Sequence, residues 1–153
     1  MLNFTEIDID AATAFCIAAG MKEMANIDDD LHADEVALID DFLAEIKSEF
    51  GSAPADESIV DTSLLDNTDK QSLFLQSLTY VALADGVIHE NEIALLQKYI
   101  SEFNANVTPQ DLIRNVGKDF LERYRGTPFF REQAEAIGEN FGLSKEEIAA
   151  ILD

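Results

Sequence analysis

The sequence predicts an all-α fold, a single-domain helical bundle of about seven or eight helices, and three observations carry that expectation. Apolar residues recur at the three- and four-residue spacing of a helix face, and no stretch keeps the two-residue alternation of a strand. Helix-starting and helix-stopping residues stand where those faces begin and end. A helix–acidic turn–helix unit occurs twice.

The elements follow in order. A first helix over about 8–25 places Ala11, Phe15, Ala18 or Ala19, Met21 and Ala25 on one stripe, and a second over about 33–50 does so with Val36, Ile39, Leu43, Ile46 and Phe50. Gly51-Ser52-Ala53-Pro54 then breaks the chain into a polar connector reaching to about 63. A third helix over about 69–84 carries Leu73, Phe74, Leu78, Val81 and Ala82, and a fourth over about 90–103 carries Ile93, Leu96, Tyr99, Ile100 and Phe103. Thr108-Pro109 and Thr127-Pro128 each set a capping residue before a proline at the first helical position. Between them Gly117 and Gly126 are expected to separate two short helices, near 112–116 and 120–124. A longer helix over about 128–141 closes at Gly142, and Ser144 with Glu147 forms a capping box that opens a last one, through Leu152.

The two long helix pairs are copies of each other. With an offset of 57 residues and no gap, Ala25, Asp28, His32, Glu35, Ala37 and Leu38 fall on Ala82, Asp85, His89, Glu92, Ala94 and Leu95. Apolar matches extend from Ile17/Phe74 to Leu43/Ile100. Residues 1–153 thus read as one domain: a first repeat over about 8–50, a second over about 65–107, and C-terminal helices over 108–153. Each hairpin has a stripe it cannot bury alone, so the two are expected to pack as equivalents.

Both turns share the pattern Asp-x-x-apolar-His-x-x-Glu, as Asp28, Leu31, His32, Glu35 and as Asp85, Ile88, His89, Glu92. Two readings stand side by side. In the first the motif is helix-start chemistry. A glutamate three residues beyond the cap reaches back to the cap's backbone N–H, and the aspartate accepts N–H bonds within the turn. In the second, Asp28, His32, Glu35, Asp85, His89 and Glu92 converge on a divalent cation, since carboxylate and imidazole are ordinary ligands for such ions. An EF-hand is excluded, because its first and third loop positions would be Val81 and Leu83.

Composition narrows the function. The chain holds 31 acidic against 10 basic residues, for a net charge of −21. Such a field repels phosphate backbones and anionic headgroups, so the expected partner is a basic protein, with no nucleic acid and no membrane insertion. Arg114, Lys118, Arg123, Arg125 and Arg131 form the one basic concentration, read as a solvated helix face. Cys16 is the single cysteine and sits in an apolar run, which suits a core position and a reducing, cytoplasmic compartment. The acidic start lacks the charge of a secretory signal. His-Glu-x-x-His, Gly-x-Ser-x-Gly, a phosphate-binding glycine loop and the Glu-x-x-His of di-iron bundles are all missing from the sequence. The expectation is a protein that is not an enzyme, with no catalytic residue and no organic cofactor.

The stretch Ala82-Leu83-Ala84-Asp85-Gly86-Val87-Ile88-His89-Glu90-Asn91-Glu92-Ile93 resembles the signature turn of the TerB-like, tellurite-resistance-associated helical family: Ala-x-x-Asp-Gly-x-apolar, three residues, then Glu. The resemblance runs from about 15 to 103 and returns at Phe141-Gly142-Leu143-Ser144; the first turn departs from it with Asp29 in place of glycine. It implies a compact bundle with acidic turns, acting as a binding or scaffold module in tellurite or metal-stress response. The alternative it leaves open is a divalent-metal-binding protein that uses both turns.

Overall fold

The computed structural model describes residues 10–27, 33–51, 60–84, 88–122, 125 and 131–153, with backbone alone at 34 and 120. These residues form seven helices and no strand: α1 (Ala11–Asn26), α2 (Ala33–Phe50), α3 (Thr68–Leu83), α4 (Glu90–Glu102), α5 (Pro109–Glu122), α6 (Arg131–Asn140) and α7 (Lys145–Leu152). None is long and apolar enough to cross a membrane.

The 57-residue offset reappears in the backbone. α1 and α3 are both 16 residues long. Their N-caps, Asp10 and Asn67, stand at the same offset and do the same work. Asp10 accepts the N–H of Thr13 at 2.8 Å, and Asn67 accepts that of Lys70 at 2.9 Å. Each cap satisfies one of the donors a helix start leaves unpaired. α2 and α4 also begin at equivalent residues, and they end differently, at 18 and 13 residues. Asn104, in the left-handed region at φ 52°, stops α4 early. Its N–H reaches the Ser101 carbonyl at 3.1 Å while that of Ala105 reaches Ile100 at 3.0 Å, the paired closing bonds of a Schellman turn.

The central packing is α1 on α3, with α2 against both and α4 against α3. Cys16/Leu73, Ile17/Phe74, Ala18/Leu75, Gly20/Ser77, Met21/Leu78, Met24/Val81 and Ala25/Ala82 are buried in both copies. Phe74 is boxed by Tyr99 and Phe103, with ring centroids 4.9 and 5.7 Å away and edge-on geometry. Gly20 makes the close crossing possible: a Cβ there would lie 2.5 Å from the Phe74 ring and 2.9 Å from Leu78. α3 is buried on further sides because α5 covers it, forming a second cluster of Tyr80, Leu83, Ile113, Val116 and Phe141.

Two expectations need correction. Gly117 does not divide a pair of short helices; α5 runs unbroken from Pro109 to Glu122. The glycine is there for space, since a Cβ would come within 2.8 Å of Phe141. The chain before α3 is also more than polar linker. Thr62–Leu64 makes a single 3₁₀ turn, Leu65 is buried, and Cys16 donates its S–H to the Asp61 carbonyl at 3.3 Å. Residues 52–59 of that connector, and 126–130 with Gly126 and Thr127-Pro128, lie outside the described residues. The Gly142 expectation holds: at φ 79° it ends α6, with Leu143 N–H on Gly138 at 3.0 Å and its own N–H on Glu139 at 3.1 Å.

Candidate functional site

His89 is the N-cap of α4, in extended conformation at φ −100° and ψ 152°. Its carbonyl already accepts the N–H of Ile93 at 3.2 Å, so the helix starts at the next residue. Glu92, the third helical residue, folds back and accepts the backbone N–H of His89 at 3.0 Å through Oε1. That is the glutamate half of a capping box. Ile88 and Ile93, on either side of the cap, pack half-buried against the second apolar cluster and hold the turn to the core. Glu92 is left only 2 % exposed, with its carboxyl at the positive end of the helix dipole.

Glu35 takes the matching place in the first copy. It is the third residue of α2 and is 5 % exposed. Glu35 and Glu92 are the two buried acids among the described residues. A carboxylate is a costly group to bury, and finding it buried at both repeat positions ties the motif to how each second helix begins.

The six candidate ligands divide. Asp28, His32 and Asp85 lie outside the described residues. His89 and Glu92 come together, with Nε2 3.9 Å from Oε1 and the imidazole side chain 46 % exposed. Glu35 is carried by α2, which packs on α1 and α3, whereas α4 packs on α3 and α5. Among the described residues no three His, Cys, Asp or Glu side chains are grouped so as to hold an ion.

Other polar groups tie elements together, and sequence spacing alone did not single them out as pairs. Tyr99 donates its hydroxyl to Glu23 at 2.8 Å, joining α4 to α1, and Lys98 approaches the same carboxylate at 3.9 Å. Burial first, and then Glu23, push the Tyr99 hydroxyl well above the usual phenol range. Within the basic concentration, Arg114 and Lys118 meet Glu147 of α7, and Arg131 meets Glu135 and Asp153. Arg125 is exposed, and Arg123 lies outside the described residues. Cys16 is 3 % exposed, and burial pushes its thiol up, so it behaves as a core side chain.

What the helices define is a class, an all-helical bundle whose second and fourth helices carry a buried glutamate as their third residue. Comparison with family models, with curated proteins and with solved structures finds no match to this chain.

Proposed function

We propose that this chain is a non-enzymatic binding or scaffold module of the TerB-like type, acting in a tellurite or metal-stress response and holding a basic protein partner. The observation that carries this reading is the engagement of Glu92, the signature glutamate, by the backbone N–H of its own helix cap at 3.0 Å. A carboxylate committed to a cap serves the scaffold, and the surface is left to do the binding. The acidic outward side of α2 supports a basic partner: Asp40, Asp41, Glu45 and Glu49 are all exposed, with Lys47 as the helix's one basic residue.

The second reading, a divalent-metal-binding protein, draws on one observation. His89 and Glu92 bring an imidazole and a carboxylate within 3.9 Å of each other. Calorimetric titration of chelator-treated protein with calcium, magnesium and zinc at about 0.15 M sodium chloride separates the two, since that salt screens diffuse attraction. The scaffold reading expects no saturable uptake. Saturable binding at a whole-number ratio would replace it with the second.

A further inference from the structure

α6 and α7 pack on α5 and on each other, and their Ala134, Leu143, Ile148 and Leu152 form a small cluster around Leu121 of α5. That cluster is separate from the one that α1–α4 share. Besides Leu121, the pair meets the α3–α5 cluster through Phe141 and Ile137. Arg131 binds the pair internally, from α6 to Asp153 beyond α7, at 2.7 Å.

Among the described residues the pair's polar attachment is concentrated on one side chain. Arg114 of α5 donates Nη1 to the Gly142 carbonyl at 2.7 Å, at the turn between α6 and α7. Its Nη2 donates to Glu147, whose other oxygen accepts the N–H of Ser144 at 2.8 Å and so caps α7. Lys118 adds a weaker contact to the same carboxylate at 3.8 Å. One guanidinium therefore grips both the end of α6 and the start of α7. Beneath the pair, Gly117 of α5 makes room for Phe141, and within the pair Gly138 of α6 makes room for Ile148.

We infer that α6 and α7 form a lid that opens separately from the rest of the bundle, with Arg114 as its latch. Opening bares the α5 face around Val116, Gly117 and Leu121 while α1–α5 stay folded. A region at one end of the chain whose apolar cluster is small and separate from the main one is where local opening requires least free energy. The inference holds whatever the module binds.

Native-state amide exchange on the full chain, read by mass spectrometry, tests it. In the wild type the protected amides of α6 and α7 should exchange at least about tenfold faster than those of α1 and α3. Arg114→Met keeps the apolar stem and removes both charged hydrogen bonds. It should speed exchange in α6 and α7 by about tenfold again and leave α1 and α3 within about twofold. Leu152→Ala, at the far end of the lid's cluster, should have an effect confined to the same helices. One common rate for all helices overturns the inference. So does either variant speeding α1 and α3 as much as α7, or failing to fold at all. No change in α7 on Arg114→Met removes the latch.

Discussion

At the scale of single residues, carboxylates that accept backbone N–H groups at helix starts matter most. Glu92 was readable as a cap from its three-residue spacing to His89, and the 3.0 Å bond bears that reading out. Its deep burial was not readable, because it depends on how the start of α4, flanked by Ile88 and Ile93, packs against residues of α3, α5 and Phe141. Glu147 offers the clearest titration. The Ser144 backbone N–H first, and then Arg114 and Lys118, hold its carboxyl below the ordinary value of 4.5. A carboxyl lowered on folding contributes stability above its unfolded value, and that contribution is lost as pH falls through the folded one. A carbon-13 titration should therefore place the Glu147 midpoint below 4.5. Arg114→Met should raise it part of the way, since the Ser144 bond stays. A wild-type midpoint at or above the ordinary value would contradict the geometry.

At the scale of elements, the sequence exposed most of the architecture because caps and stripes are local signals. The gapless offset foretold the shared starts of α2 and α4, while α1 and α3, placed at about 8–25 and 69–84, prove equal in length. The Gly142 stop and the Ser144–Glu147 box were local too. Gly117 misled for the opposite reason: a glycine that breaks a helix and one that admits a neighbouring ring look alike until the ring is placed. Gly20 belongs to the second kind, and it lends itself to a direct test. Gly20→Ala improves helix propensity by about 1 kcal/mol. Against that, its Cβ would meet the Phe74 ring at 2.5 Å, and Tyr99 and Phe103 leave that ring little room to yield. Overpacking of this kind costs about 1–3 kcal/mol. Urea denaturation should show the variant destabilised by about 1 kcal/mol or more. A variant as stable as the wild type, or more so, would mean that the α1–α3 crossing is looser than described.

At the scale of the whole molecule, charge governs behaviour. At −21 the chain repels itself, so sodium chloride should raise its melting temperature by screening, and any divalent cation should do so somewhat further. That background is what a metal-binding claim must exceed. The deciding measurement compares melting of wild type and Glu92→Gln in calcium, magnesium or zinc against sodium chloride of matched ionic strength. Glutamine keeps an acceptor for the His89 N–H and loses the charge. If Glu92 is a cap, the substitution costs no more than about 1 kcal/mol, and both proteins respond to the divalent ions alike. If the turns bind metal, the wild type shows a saturable, ion-specific gain from the linkage of binding to folding, and Glu92→Gln abolishes it. The account predicts the first result, and the second would contradict it.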